Sequence, residues 1–206
     1  MDRASRPGSA GEHILQERYH TVKRADAFYS QQMLTALNAE MTSFIGKQAM
    51  VFVATADSQG ECDASARFGP PGFVEVLDEH HLAWPEYRGN GVMASLGNIE
   101  ENPHVGLLFI DFFESTVGLH VNGTARVLPN GELSRLAPAD DPSSRPEPER
   151  WVWLTVEEAY MHCSKHVPHL ARLEKRIAWG TDDAVQKGGD FFHAKTTAKE
   201  VVHGRR

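Results

Sequence analysis

Apolar residues recur at every second position along much of this chain, and that spacing predicts β-strands. The clearest alternation covers residues 116–128, where one face is apolar and the other polar, and residues 150–161 repeat the pattern. Residues 49–55 are apolar almost without interruption, which predicts a strand buried on both faces. Together with shorter runs, these stretches predict about six strands at short spacing.

Helical spacing occurs at three places. Residues 25–47 carry apolar side chains at three- and four-residue steps, which predicts one amphipathic helix. Residues 92–101 predict a short helix that ends at Asn102, because the residue before a proline is disfavoured in helical conformation. A third helical stretch is predicted through Leu173 and Ile177. Since helices are missing between most strands, we predict a small, mainly antiparallel barrel with peripheral helices rather than a parallel sheet.

Residues 61–67 alternate between two kinds of side chain and predict a strand with two different faces. The small members, which we expect to face the core, are Cys62, Ala64 and Ala66. The polar members are Asp63, Ser65 and Arg67. A polar row beside a core is either the solvent face of a sheet or the wall of a polar site.

The composition is ordinary for a globular protein, and it narrows the classes of partner. The 206 residues suit one domain with extensions: we predict a flexible segment at 1–24, a folded domain at 25–178 and a tail at 179–206. A formal net charge of −7 without a dense basic patch argues against nucleic acid as a partner. The apolar runs are too short to span a membrane, and the two distant cysteines indicate reduced thiols in the cytoplasm.

A glycine-rich turn at residues 88–91 precedes the second predicted helix and is a candidate for anion binding. The start of a helix offers unpaired backbone N–H groups at the positive end of the helix dipole. Arg88 adds a cation, and the glycines let a ligand approach the backbone closely. The same pattern is also typical of an ordinary strand–helix connection, so the turn alone does not identify a site.

Several short motifs follow one another in the middle of the chain. They are DASAR at 63–67, PPGFV at 70–74, RGN at 88–90, SLGNI at 95–99, NPHVGLLF at 102–109, HVNG at 120–123 and HCSK at 162–165. In this order and spacing they resemble the pyridoxamine 5'-phosphate oxidase-like family, the FMN-binding split β-barrels. The resemblance implies a six-stranded antiparallel split β-barrel that forms a homodimer, with two FMN sites at the subunit interface.

The resemblance also implies which residues contact FMN. Those that would hold its phosphate are Ser65, Arg67, Arg88, Asn90 and Ser95. The flavin ring would lie along the strand that ends at Trp84 and Pro85, with Asn98 as a further contact. The residues that the partner chain would contribute are Trp153, His162 and Lys165.

Two departures from the family pattern limit what the resemblance implies. Many relatives carry basic residues after the GN turn, where this chain has Gly91 and Val92, so its phosphate site is less charged. Residues 171–183 do not reproduce the arginine- and histidine-bearing segment with which true pyridoxamine phosphate oxidases grip the substrate phosphate. We therefore do not predict oxidation of pyridoxamine phosphate.

The histidines near the end of the last strand suggest a metal site, but their spacing argues against one. His162 and His166 are four residues apart, as on a helix that binds zinc. Pro168 interrupts such a helix, and no acidic residue occupies the position that the HExxH pattern requires. We therefore predict no metal ligand and a structural or interface role for these histidines.

One leading hypothesis and two rivals follow. The leading hypothesis is a homodimeric, cytoplasmic oxidoreductase that passes a hydride or electrons through FMN to a small organic molecule or oxygen. The first rival is a binding protein of the same fold that holds a flavin, a deazaflavin or haem without turnover. The second rival is an inactive structural dimer.

Overall fold

A computed structural model of the chain describes residues 6–133 and 148–175, with residues 177, 181, 183, 185, 186 and 188–194 of the remainder. Its centre is a seven-stranded sheet in which every pairing is antiparallel. The strands are β1 (Met50–Ala56), β2 (Cys62–Phe68), β3 (Glu75–Val76), β4 (His81–Glu86), β5 (His104–Ile110), β6 (Gly118–Pro129) and β7 (Arg150–His162). Along the sheet they follow the order β2-β1-β5-β6-β7-β4-β3.

The mainly β, antiparallel architecture is confirmed, but the sheet has seven strands where six were predicted. The smallest strand, β3, has only two residues and pairs with β4 at the edge of the sheet. Within the described residues, β2 and β3 end the ladder and do not pair with each other. Backbone hydrogen bonds therefore leave the sheet open and do not close it into the predicted barrel.

The helices lie around this sheet. They are α1 (Ala10–Arg18), α2 (Val22–Gln31), α3 (Ala39–Gly46) and α4 (Ala94–Glu101). In the described part of the chain, none of them is both long and apolar enough to cross a bilayer.

The single helix predicted over 25–47 is wrong, because the chain leaves the helix after α2 and bonds to the last strand. Leu34 N donates to Ala159 O at 2.9 Å, and Ala159 N donates to Leu34 O at 2.8 Å. Asn38 then starts α3 by accepting a hydrogen bond from Met41 N at 2.9 Å. The helical spacing in the sequence thus belongs to two helices with a bridge between them.

At both ends of the chain, the described helices differ from those predicted. The N-terminal segment predicted to be flexible contains α1, which starts at a capping box between Ser9 and Glu12 with both hydrogen bonds at 3.2 Å. The helix predicted through Leu173 is wrong, because the described chain after β7 has one 3-10 turn, η1 (Ser164–His166), and no further helix to residue 175. The tail predicted at 179–206 lies mostly outside the described residues, and the domain boundaries remain predictions.

The core lies on one face of the sheet. Its innermost residues, each at most 1% exposed, include Val51, Val53, Leu107, Phe109 and Val121. The prediction that β1 is buried on both faces is wrong, because Ala54 is exposed and Phe52 is 37% exposed on the opposite face. That second, outer face has no covering element in this region among the described residues.

The two faces of β2 are the reverse of the prediction. In the register with β1, Arg67 lies opposite Val51 and Ser65 opposite Val53. The polar row therefore shares the core side of the sheet, because residues paired across strands point to the same face. Cys62 is exposed on the outer side. The polar side chains can lie on the core side because they hydrogen-bond to one another and to α4.

α4 begins two residues later than predicted and ends where predicted. Its C-cap, Asn102, has extended backbone with φ −141°, as expected before Pro103. Leu96 and Ile99 pack on the core. Val92, which the predicted helix included, lies before α4 and is 72% exposed.

β6 and β7 form the longest pairing in the sheet, and a β-bulge interrupts it. The register shifts between Asn122 and Gly123. Gly123 lies opposite Val156 at this point, and Gly118 lies opposite His162 at the end of the ladder. The two glycines of the long predicted strand thus fall where β6 approaches β7 closely.

Candidate functional site

A groove of about 850 Å³ opens between β2, the end of β4 and the start of α4. The predicted cofactor residues that line it are Ser65, Arg67, Pro85, Arg88, Asn90 and Ser95. All five residues that were expected to hold a phosphate are therefore brought to one place by three separate elements.

The turn before α4 leaves the start of the helix accessible from the groove. Asn90 Oδ1 accepts a hydrogen bond from Val92 N at 2.9 Å, and Met93 adopts the left-handed conformation with φ 57°. Met93 is the N-cap, and its side chain makes no capping hydrogen bond to the described residues of the first turn. The first helical residues line the groove, so the positive end of the helix dipole lies at its wall.

Arg67 lies in the groove but already has an anionic partner. Its Nε donates to Glu86 Oε1 at 2.7 Å, and Trp84 Nε1 donates to the same oxygen at 2.9 Å. The side chains of Arg67 and Glu86 are 21% and 11% exposed. Because water screens such a pair less than it screens a surface pair, the guanidinium is held firmly.

A row of hydrogen bonds continues from Arg67 to α4. Arg67 Nη1 donates to Ser65 Oγ at 2.8 Å, and the hydroxyl oxygens of Ser65 and Ser95 are 3.1 Å apart. Ser95 Oγ donates to Asp63 Oδ2 at 2.8 Å, so Ser65 is the donor between the two hydroxyls. The row therefore runs from a cation to a carboxylate and occupies the hydroxyls that were predicted to face a phosphate.

The groove carries as many carboxylates as guanidinium groups. Its acidic residues are Asp63, Glu86 and Glu149, and its basic residues are Arg67, Arg88 and Arg150. Arg150 Nη1 and Glu149 Oε2 are 3.2 Å apart. With opposite charges this close, the groove attracts a dianion less strongly than unpaired cations would.

Two further predicted residues lie behind the groove. Trp84 is fully buried, and its indole N–H is used by Glu86. Asn98 Nδ2 donates to Thr55 Oγ1 at 3.0 Å and so ties α4 to β1. Within one subunit, these side chains support the walls and do not line the groove.

The residues predicted to come from a partner chain lie outside the groove. Trp153 packs beside His81, with ring centroids 5.0 Å apart, and the Arg126 guanidinium lies 5.5 Å from the Trp153 ring centroid. His162 is at the end of β7, and Lys165 is in η1. Their part in a site shared between two subunits stays a prediction.

His120 and His162 form a hydrogen-bonded pair, with His120 Nε2 and His162 Nδ1 3.0 Å apart. The Tyr160 ring stacks on His120 at 4.7 Å between centroids. Burial lowers the pKa of His120, repulsion from His162 lowers it further, and Glu158 opposes both effects. Burial is also the main cause that raises the pKa of Tyr160. Since one ring must accept in this hydrogen bond, at least one of the two histidines is neutral.

A metal site would need several ligating side chains close together. Throughout the part of the chain that the structure describes, no three His, Cys, Asp or Glu side chains are grouped so that they could hold a metal ion.

Comparison with known families gives one match. The family model for pyridoxamine 5'-phosphate oxidase matches residues 37–163. This range covers more than half of the chain and contains all seven strands of the sheet and every residue that lines the groove. No protein with a curated description matches the sequence.

Solved structures give a likeness in fold. HupZ of Group A Streptococcus has a TM-score of 0.50 and 21% identity, over 66% of this chain and 99% of HupZ. A protein of Clostridium acetobutylicum, related to general stress protein 26 of B. subtilis and of the pyridoxinephosphate oxidase family, has a TM-score of 0.44 and 16% identity, over 64% and 89% of the two chains. At such identities the likeness to HupZ shows a shared fold alone.

Proposed function

Because the chain belongs to the pyridoxamine 5'-phosphate oxidase family, we propose that its groove binds a flavin, specifically FMN. The observation that carries this proposal is that the start of α4, Arg67 and the hydroxyls of Ser65 and Ser95 meet in one cavity of about 850 Å³. Backbone N–H and guanidinium donors together suit a phosphate group, and the two hydroxyls, which now bond within the row, can rotate toward it. The volume is also within the range of small-molecule sites.

In this proposal the phosphate of FMN lies at the start of α4. Arg67 and Ser65 hold it from β2, Ser95 holds it from α4, and Arg88 and Asn90 hold it from the turn. Pro85 and the adjoining backbone of β4 line the flavin ring. Bound there, the flavin supplies hydride and electron transfer, and the chain binds and orients it.

We further propose that the protein is an oxidoreductase that acts on a small organic molecule or oxygen and not on pyridoxamine phosphate. The groove supports this proposal because its volume, about 850 Å³, is typical of sites that bind small molecules. Both cysteines are free and exposed, which supports a cytoplasmic location.

The test is whether the purified protein carries or takes up a flavin. We expect FMN among the co-purified small molecules by mass spectrometry, or a yellow complex with absorbance near ~450 nm after FMN is added. Bleaching of that band by NADH or NADPH would support an oxidoreductase. A colourless protein that does not respond to FMN contradicts the proposal.

The balance of charges in the groove favours a second candidate, a protein that holds a flavin, a deazaflavin or haem without turnover. Glu86 accepts a hydrogen bond from Arg67, and Asp63 accepts one from Ser95. Without these carboxylates, both donors would be available to an anionic cofactor. A bound ligand that no electron donor reduces would support this candidate over the oxidoreductase.

We also propose that the protein forms a homodimer through the outer face of β1 and β2. This face exposes two large apolar side chains, with Phe52 37% and Phe68 53% exposed. Phe52 lies opposite Ala66 on β2 and Leu108 on β5, so the apolar character continues across three strands. A second copy of the chain would bury these residues. A contiguous exposed apolar surface favours such an association.

Replacement of Phe52 by glutamate is expected to weaken the dimer by roughly 100-fold in dissociation constant, because it places a charge in an apolar contact on both subunits. The mass in solution, measured by light scattering across a dilution series, checks this result. Ile14→Glu is the matched control, since Ile14 is 57% exposed on α1 and belongs to neither β1 nor β2. If the wild-type protein has the mass of one chain at all concentrations, the proposed dimer is wrong.

A further inference from the structure

Glu86 stands out in the groove because it is a nearly buried carboxylate at a place expected to attract anions. The whole residue is 8% exposed. One oxygen, Oε1, accepts hydrogen bonds from both Arg67 Nε and Trp84 Nε1, at 2.7 and 2.9 Å. Trp84 is fully buried, so the carboxylate is fixed from the protein side.

This arrangement changes what a ligand meets when it enters the groove. A phosphate dianion that approaches Arg67 must share the guanidinium with Glu86, and two anions then lie close together where water screens them poorly. Asp63 adds a second carboxylate, bonded to Ser95 at the start of α4. An uncharged hydroxyl meets no such repulsion and can donate to either carboxylate.

We propose that Glu86 is the specificity-determining residue of the groove and reduces its preference for a ligand that ends in phosphate over one that ends in a hydroxyl. The inference rests on the proposed flavin site. FMN and riboflavin differ in this terminal group alone, so the pair measures the preference directly. In the wild-type protein, the advantage of FMN over riboflavin is expected to be less than about tenfold in affinity, the equivalent of one weakened charged contact.

The decisive variant is Glu86→Gln. Its amide oxygen can still accept from Arg67 and Trp84, but the negative charge is gone and Arg67 is free to pair with a phosphate. We expect the ratio of FMN affinity to riboflavin affinity to rise about tenfold, with riboflavin affinity changed by less than about twofold. Quenching of flavin fluorescence gives both affinities, and thermal unfolding confirms that the variant is folded.

Glu149→Gln is the matched control. It removes the same charge from the same groove, but Glu149 pairs with Arg150 and not with Arg67. We expect its effect on the ratio to stay below about twofold. An equal rise in both variants would mean that net charge alone sets the preference, and the role of Glu86 would be overturned.

Inorganic phosphate separates this inference from the proposed function, because phosphate needs no flavin. At millimolar concentration it is expected to raise the melting temperature of Glu86→Gln but not of the wild type or of Glu149→Gln. If no flavin binds any variant and phosphate still selects Glu86→Gln, the flavin proposal fails and the role of Glu86 is supported. If both flavins bind and the ratio is the same in all three proteins, the flavin proposal stands and the role of Glu86 is overturned.

Two results would overturn the inference from measurements on the wild-type protein alone. A wild-type protein that already prefers FMN over riboflavin by more than about 100-fold overturns the inference, because Arg67 would then be fully available to phosphate. A wild type that binds millimolar phosphate overturns it for the same reason. If neither flavins nor phosphate bind any of the proteins, both the inference and the proposed function are overturned.

Discussion

Replacement of Arg67 by alanine is expected to weaken FMN binding by roughly 1–3 kcal/mol, the usual cost of a lost charged hydrogen bond. Two physical effects add in this variant. The phosphate loses its guanidinium partner, and Glu86, which Arg67 Nε contacts at 2.7 Å, is left as an unpaired carboxylate in the groove. The affinity for riboflavin should fall less, because riboflavin has no phosphate that Glu86 could repel. Titration of the variant with both flavins checks the result.

Arg126→Ala is the matched control for Arg67→Ala. Arg126 is an exposed arginine on a neighbouring part of the sheet, where it lies over the Trp153 ring and outside the groove. Its loss should leave FMN affinity unchanged within about twofold. If Arg67→Ala also leaves FMN affinity unchanged, Arg67 is not a phosphate ligand.

Replacement of Gly123 by alanine is expected to destabilise the fold by about 3 kcal/mol or more, or to prevent folding. Gly123 of β6 lies opposite the β-bulge in β7, where a Cβ atom would overlap the carbonyl oxygen of Thr155 and lie 3.2 Å from Glu157 N. Both groups belong to the backbone of β7, so neither can move without disturbing the longest ladder of the sheet. Urea denaturation followed by circular dichroism measures the loss.

Gly97→Ala is the corresponding control for Gly123→Ala. Gly97 lies inside α4, and a Cβ added there meets no atom of the described chain within 4 Å outside the helix's own backbone. Alanine in a helix is more favourable than glycine by about 1 kcal/mol, so this variant should be slightly more stable than the wild type. A Gly123→Ala protein as stable as Gly97→Ala would show that β7 does not constrain this position.

The periodicity of the sequence predicted the strands best where one face is buried and the other is not. β7 is the clearest case, since Val152 and Leu154 are buried while Trp151 and Trp153, which alternate with them, are only partly covered. The end of α4 was also predictable, because Pro103 restricts the backbone of Asn102 for steric reasons. Both features are determined by residues that are close in sequence, and a periodic pattern reflects such residues.

The same reasoning failed where polar groups find partners inside the fold. The row of Asp63, Ser65 and Arg67 lies on the core side of β2 because hydrogen bonds to Ser95 and Glu86 satisfy it. A hydrophobicity pattern cannot foresee such partners, and it therefore assigned the small residues to the core. The bridge between Leu34 and Ala159 is likewise a long-range contact, and it divides one predicted helix into two.

Part of the lining of the groove could be predicted from the sequence, but its balance of charge could not. The resemblance to a family placed five phosphate-binding candidates together, and the groove contains all five. Glu86 was missed because it follows an apolar strand segment and its partner, Arg67, lies 19 positions earlier in the chain. The only local signal was a charged residue at the end of a buried strand, two positions after Trp84.

The ion pair between Arg67 and Glu86 also has a mechanical consequence. β2 is the first strand of the ladder and β4 the sixth, yet side chains from the two are 2.7 Å apart, so the sheet must curl until these strands face each other. A side-chain contact, and not a row of backbone hydrogen bonds, therefore joins the seam beside the groove. The separation of β2 and β4, and with it the width of the groove, is therefore set by side-chain contacts at this seam and not by the ladder.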